Sequence, residues 1–328
     1  MEREETDLAA RAAWLSYVGE MTHEAIAARL RVSRIKVTRL IAQAQRLGLV
    51  RVFVDGEITR CLALENALTA TYGLEFCTVA PDLEEDGIPL KALASAGARY
   101  LMGALDGSRT IGLGHGRTLA AMVESLPRQL RPKTRFVSLL GSLTRKAAAN
   151  PFDVIHRISE ITGGEGYFVP APFFSDSRED RDVFIAQRSV ATVFAMAAAA
   201  DLYLVGVGDV GPGTQLLATG MITPSERRAI VRAGGVGEVL GMFVDADGRK
   251  LPIEVNERSI AVDLELLRGK EAVLVAGGEQ KAQAIAAVLR TGIFKGLIVD
   301  EATAAILTEG ATIGSHRGNR TERKREAG

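Results

Sequence analysis

Two glycine-bracketed runs carry cations and hydroxyls at spacings suited to an oxygen-rich ligand. One is Gly112-Leu-Gly-His-Gly-Arg-Thr118, the other Gly277-Gly-Glu-Gln-Lys281. In each, an apolar run that reads as a strand stops at glycine, and a helical pattern follows. Gly114, Gly116, Gly277 and Gly278 free backbone N–H groups to face a ligand. The following helix adds its unpaired N-terminal N–H groups, and Arg117, Thr118 and Lys281 add further donors. A single loop of this kind needs no more than a glycine that turns a strand into a helix. Two of them at strand ends of one sheet point to a phosphate or polyol site. His115 stands where a base could work, but it has no identifiable partner carboxylate. It is read as a loop-packing residue or a ligand contact.

Other chemistries fall away on spacing. Gly206-Val-Gly-Asp-Val-Gly211 formally matches a dinucleotide fingerprint. Pro212-Gly213 oppose the immediate helix that such a site requires, and Glu226 falls in a helical stretch rather than at the end of the next strand. There is no G-x-x-x-x-G-K-[ST] run. Histidines 23, 115, 156 and 316 are scattered, and the two cysteines, Cys61 and Cys77, build neither a metal site nor a disulfide framework. No catalytic set, metal or cofactor is assigned.

A second chemistry lies near the start of the chain. Formal net charge is zero over 328 residues. Yet Ala25–Val54 holds Arg29, Arg31, Arg34, Lys36, Arg39, Arg46 and Arg51 with no acid, an asymmetry that points to a polyanion. The spacing predicts a helix over 8–20 and a second capped by Thr22, with Ile26, Ala27 and Leu30 inward. A turn at Arg31-Val32-Ser33 leads to a third helix, capped by Ser33 and ended at Gly48. Its apolar positions are Val37, Leu40, Ile41, Ala44 and Leu47. That leaves Arg34, Lys36, Thr38, Arg39 and Gln43 outward, donors suited to base edges and phosphates. The reading is a helix-turn-helix that binds operator DNA. One short recognition helix reads few base pairs, so a homo-oligomer, at least a dimer, is expected.

These elements imply a particular organisation. Residues 1–58 form the small all-α DNA-binding domain, closing with a strand at Leu49–Val54 and a turn at Asp55-Gly56. Residues 59–312 form a large α/β domain for effector binding and oligomerisation, and 313–328 read as a disordered basic tail. Strand-like runs occur at Phe76–Ala80, Thr110–Gly114, Arg135–Leu140, Tyr167–Pro170, Leu202–Gly208, Gly237–Val244, Ala272–Ala276 and Leu297–Asp300. Helical stretches at Leu90–Leu105, Arg117–Leu130, Asp182–Ala200, Ser225–Ala233 and Lys281–Arg290 alternate with them, which predicts a mostly parallel sheet under helices. Several of these runs end in glycine, among them Gly141 and Gly206-Val-Gly208. Ligands of open α/β sheets lie outside the carboxyl ends of the strands. Apolar residues make up 47% of the chain, enough for a sizeable core. The start of the chain lacks a signal-peptide pattern, and the longest apolar run, Val190–Ala200, is too short to span a bilayer. A cytoplasmic protein is expected.

Taken in order, these segments resemble the SorC family of sugar-responsive regulators. The likeness rests on the helix-turn-helix, Gly112-Leu-Gly-His-Gly-Arg-Thr-Leu119, Leu139-Leu-Gly-Ser142, Val169-Pro-Ala-Pro-Phe173, Gly235-Val-Gly-Glu-Val239 with Phe243-Val-Asp-Ala-Asp-Gly248, and Val275-Ala-Gly-Gly-Glu-Gln-Lys281 running on to Leu297-Ile-Val-Asp-Glu301. It covers nearly the whole chain, and Ala12-Ala-Trp-Leu15 and Val193-Phe-Ala-Met196 point within the family toward a repressor of polyol catabolism. The resemblance implies an effector domain related in fold to sugar-phosphate isomerases and coenzyme A transferases but catalytically silent, and dimers or tetramers. It implies a sugar, polyol or sugar-phosphate effector held by Gly114–Thr118, Glu238 and Lys281, with Gly141 and Gly208 at neighbouring strand ends. Two positions depart from the family pattern: Glu238 stands where aspartate is common, and His115 where an aromatic is. The alternative of a different class is a sugar-phosphate isomerase or hydrolase carrying a DNA-binding appendage.

Overall fold

A computed structural model of the chain describes residues 2–50, 59–105, 109–128, 133–142 and 154–309. It divides into two compact units, Met1–Asp55 and Gly56–Gly328.

The first unit packs three helices, Glu2–Tyr17, His23–Leu30 and Arg34–Arg46. Its core joins Ala9, Ala12, Ala13 and Leu15 to Ile26, Val37, Leu40, Ile41 and Ala44, and the alanines let the first and third helices approach closely. The Thr22 hydroxyl accepts from the Ala25 N–H at 3.3 Å and the Ser33 hydroxyl from the Lys36 N–H at 3.2 Å, so each caps its helix. Between them Arg31 adopts φ 54°, a left-handed conformation that costs about 1–2 kcal/mol in a side-chain-bearing residue. The Val32 N–H closes that turn on the Ala27 carbonyl at 3.0 Å. The first helix starts earlier than expected and ends at Tyr17, before Gly19 and the left-handed Glu20 (φ 50°). Leu49 and Val50 are not in a strand. The rest of the expected strand, the Asp55-Gly56 turn and the expected tail lie outside the described residues.

The second unit holds ten strands among its described residues: β1 (Phe76–Ala80), β2 (Thr110–Leu113), β3 (Arg135–Ser138), β4 (Glu165–Tyr167), β5 (Leu202–Val205), β6 (Gly208–Asp209), β7 (Gly237–Val239), β8 (Met242–Val244), β9 (Glu271–Val275) and β10 (Gly296–Asp300). Seven form one sheet in the order β1-β10-β9-β5-β2-β3-β4, and every neighbouring pair is parallel. Its central strands are buried along their length, as a sheet covered on both faces requires. The chain builds outward from β2 through β3 to β4, then returns to lay β5 on the other side of β2. The β2–β5 boundary is therefore the switch point, where a crevice opens at the carboxyl ends.

Two expectations are corrected. Gly237–Val244 is not one strand: it folds back at Leu240 (φ 49°) and Gly241 (φ 77°) into β7 and β8, which with β6 make a separate antiparallel sheet. Asp182–Ala200 is not one helix: Gln187 turns extended (ψ 131°) and splits it into Arg178–Ala186 and Arg188–Ala198.

Candidate functional site

A cleft opens at that switch point. The loop after β2 contributes His115, Gly116, Arg117 and Thr118, and the loop after β5 contributes Gly206, Val207, Gly208 and Asp209. Glu238 and Leu240 reach in from the small sheet, and Lys281 from the turn after β9. Leu140, Phe173, Leu216 and Ile88 supply apolar wall.

Gly116 has φ 124° and directly precedes the helix Arg117–Glu124, so a side-chain-bearing residue there would be strained. The first N–H groups of that helix have no intrahelical acceptor, and they open at the cleft where Arg117, Thr118 and Gly116 line it. Arg117 is exposed and Thr118 buried.

Opposite lies a cluster of charge. The Lys281 ammonium donates to the Val207 carbonyl at 2.9 Å. Burial pushes its pKa down; Asp209 and Glu238 pull it up, and Arg117 pushes it down further. Burial raises the Glu238 carboxyl to about 7, and Asp209 adds to the rise. The Gly241 N–H, which donates to Glu238, and Lys281 work against it. Glu238 is held close over Gly208, where a Cβ would collide with its carboxylate. The Leu240-Gly241 turn that aims it places a leucine at positive φ, a local strain of a kind found at ligand sites. The cleft thus offers a cation, helix N–H groups and a guanidinium as donors for oxygen acceptors, and the carboxyl groups of Glu238 and Asp209 as acceptors for hydroxyls.

The expected residues divide clearly. His115, Gly116, Arg117, Thr118, Gly208, Glu238 and Lys281 line the cleft. Gly114 sits behind it, its N–H donating to the Leu204 carbonyl at 2.9 Å. Gly141 also sits away from the wall, which its neighbour Leu140 supplies. It is a crossing point, because a Cβ there would collide with the Pro172 carbonyl. Gly277 and Gly278 lie behind Lys281, and the Gly278 N–H already donates to Asp300 and Thr303, at 2.9 Å each. That second loop therefore presents a lysine rather than a cradle of N–H groups. Sequence reasoning did not single out Asp209, Thr214, Gln215 or the apolar wall. Asp209 stood inside the Gly206–Gly211 run, and its Oδ1 accepts from the Gly211 N–H at 2.8 Å.

In the first unit Arg34, Lys36, Thr38 and Arg39 are exposed on the third helix and Gln43 is half-buried. Thr22 caps the second helix and Ser33 the third. The Thr38 hydroxyl lies 3.2 Å from His23 Nδ1 and donates to the Arg34 carbonyl at 3.2 Å.

These two units, one of three helices with a cationic helix and one, later in the chain, of parallel sheet with a polar cleft, have known counterparts. The family described as "Putative sugar-binding domain" matches residues 56–309. The chain belongs to that family and is a DNA-binding transcriptional regulator. It is 49% identical over 302 residues to the erythritol catabolism regulatory protein EryD of Brucella abortus, covering 92% of this chain and 96% of that one. It is 32% identical over 307 residues to the transcriptional regulator LsrR of an Enterobacter species, covering 92% of each. Among solved structures, the full-length sorbitol operon regulator SorC from Klebsiella pneumoniae superposes with a TM-score of 0.69 at 22% identity, over 93% of this chain and 99% of that one. A transcriptional regulator from Streptococcus pneumoniae gives 0.70 at 25% identity, over 77% and 98%. No helix among the described residues is long and apolar enough to cross a membrane.

Proposed function

We propose that the protein represses a sugar or polyol catabolic operon in the cytoplasm, as a dimer or tetramer, and that a small polyol or its phosphate controls it from the β2–β5 cleft. The observation that carries this is the convergence of Arg117, a helix N-terminus, Lys281 and Glu238 on one small cleft in a chain 49% identical to an erythritol catabolism regulator. The cleft volume of about 100 Å³ suits a short polyol better than a nucleotide. Hydroxyls satisfy the Glu238 carboxylate, and Arg117 and Lys281 take a phosphate or further hydroxyls. The protein binds its effector without turning it over: Glu238 and Lys281 orient a ligand, and the relatives are named regulators. Arg34, Lys36, Thr38, Arg39 and Gln43 face the operator, with Thr22 and Ser33 setting the helices that carry them.

An effector regulates only through its differential affinity for two states. The test is binding to operator DNA chosen from a random pool, titrated with erythritol and with erythritol phosphate. One of the two is expected to change operator affinity about 5–150-fold. Arg117→Ala and Lys281→Ala are expected to leave DNA binding intact and remove the response. Mutants that respond with unchanged midpoints would exclude this cleft as the effector site. Release of product from either probe would favour the enzyme instead. Sedimentation showing monomers at micromolar concentration, with and without DNA, would contradict the assembly.

A further inference from the structure

Lys281 owes its place in the cleft to a residue outside it. Asp300, at the end of β10, is 3% exposed. Its Oδ1 accepts from the Gly278 N–H at 2.9 Å and from the Thr303 hydroxyl at 2.8 Å, and its Oδ2 from the Thr303 N–H at 2.9 Å. The Thr303 hydroxyl also accepts from the Gly278 N–H at 2.9 Å. Gly278 is thereby fixed at φ 100°. From there the Gly278 carbonyl accepts from the Lys281 N–H at 2.8 Å, and the side chain of Lys281 reaches Val207. A Cβ on Gly277 would collide with Asp300, so the turn is moulded on this carboxylate.

The next residue faces a different way. Glu301 Oε1 lies 3.1 Å from Arg60 Nε, in the first turn of the helix Thr59–Tyr72. That is the first helix of the second unit, a few residues after the DNA-binding unit ends at Asp55. Glu301 Oε2 accepts from the Asp82 N–H at 3.1 Å, in the segment that runs on to Ile88 in the cleft wall.

We propose that Asp300 is the positioning residue for Lys281 and that Glu301, rigidly joined to it through the backbone, passes the state of the cleft to the helix Thr59–Tyr72. The proposal rests on the β2–β5 cleft being the effector site. It goes beyond that reading by naming residues that touch neither effector nor DNA. Asp300 acts on effector affinity. Glu301 acts on coupling, because its pair with Arg60 is mostly exposed on the arginine side and contributes little to stability.

Hydrogen exchange of the full-length protein separates positioning from general support. In Asp300→Asn, and in the milder Thr303→Val, exchange at residues 277–281 is expected to rise at least about tenfold while the helix Ala282–Leu289 stays protected. Thr303→Ser should restore the wild-type pattern. Loss of protection spread over the whole sheet in both Asp300→Asn and Thr303→Val would make the pair merely structural and overturn the proposal. Asp300→Asn should also raise exchange at residues 59–65. That effect should be absent when Glu301 is already Gln; if it persists in the double variant, the relay is wrong. With erythritol and erythritol phosphate as probes, Asp300→Asn should weaken probe binding about tenfold. Glu301→Gln and Arg60→Gln should keep probe binding within about twofold and reduce the probe's effect on operator affinity about threefold, within the range of an exposed ion pair. Unchanged probe binding in Asp300→Asn, or unchanged coupling in both Glu301→Gln and Arg60→Gln, would overturn the respective half. Should wild type ignore both probes, the effector reading fails by itself, and the exchange patterns still decide the roles of Asp300 and Glu301.

Discussion

On the helix Arg34–Arg46 the cations Arg34, Lys36 and Arg39 stand in water. At the β2–β5 crevice, Lys281 is desolvated beside Glu238 and Asp209. One region keeps its charges exposed to solvent, so they answer to a long-range field. The other holds opposite charges close in a poorly hydrated space, where the protonation of one group shifts its neighbours. The first arrangement suits a polyanion that is met from a distance and bound in many registers. The second suits a small ligand whose hydroxyls must replace lost water group by group. The same polypeptide thus separates an electrostatic task from a hydrogen-bonding one, and the two should respond differently to salt, mutation and pH.

Salt should produce the largest divergence. A protein that neutralises several phosphates releases their counterions, and affinity for DNA falls about 10³-fold or more between 50 and 200 mM salt when six or more contacts are made. Effector binding in the cleft should change less than about threefold over the same range, since buried partners are poorly screened. Fluorescence anisotropy for DNA and calorimetry for effector, run in matched buffers, make the comparison. Parallel salt slopes would mean that the cleft binds its ligand mainly through free charge.

Mutation of the exposed helix comes next. Arg34→Ala or Arg39→Ala should cost about 1–3 kcal/mol at a base-reading position, with effector affinity unchanged. Thr38→Ala should cost less than either arginine, because its hydroxyl is already engaged with His23 and the Arg34 carbonyl. Two arginine variants that bind selected operator like wild type would remove this helix from the interface.

The regions also differ in how far they could be read from residue order. The three-helix unit is written in one contiguous run: Thr22 and Ser33 as caps, apolar residues at helical spacing, and cations on the remaining face. Each signal is local, so the second and third helices appear where their residues say, while the first, which has no such cap signal, runs over Glu2–Tyr17 instead of 8–20. The cleft is drawn from segments between Ile88 and Lys281. Arg117, Thr118 and Lys281 were visible because glycine followed by a helix start is a local signal. Glu238 entered through family likeness. Phe173, Leu216 and Ile88 were not visible, because an apolar wall residue and a core residue are chemically the same. The β7–β8 turn was missed for a similar reason: Leu240-Gly241 lacks the Asn-Gly type of signal, and an alternating apolar run does not show where it doubles back. Gly278 was assigned to a ligand because nothing local indicates that Asp300, at the end of another strand, takes its N–H. The parallel sheet was legible from alternation alone, whereas the switch point that opens the crevice follows from strand order, which is a long-range property.

The smallest effect, and the one that bears most directly on ligand chemistry, is pH. Glu238 holds its proton to about pH 7, because burial disfavours its charged form. Its folded value lies above the ordinary carboxylate value near which it titrates in the unfolded chain. The stabilisation linked to this group is therefore complete below that ordinary value and is lost as pH rises through 7. The empty protein should unfold more readily at pH 8 than at pH 5 on this account, and Glu238→Gln should flatten that part of the profile. A neutral polyol reverses the balance. Its hydroxyls donate to the ionised carboxylate and replace the missing water, so binding favours the charged form and releases a proton. Erythritol affinity should then rise with pH through 7, by at most about tenfold per unit for one linked proton, and Glu238→Gln should bind weakly with a flat profile. An anionic ligand behaves oppositely: each ionised Glu238 repels it, and its affinity falls as pH rises above 7, where a phosphate monoester is already mostly doubly charged. Calorimetry in two buffers of different ionisation heat reads the proton directly, with release marking a hydroxyl-bearing neutral effector and uptake marking a phosphate. Binding with no proton exchanged around pH 7 would show that the ligand does not meet Glu238, and would leave the contrast between the two regions resting on Lys281 alone.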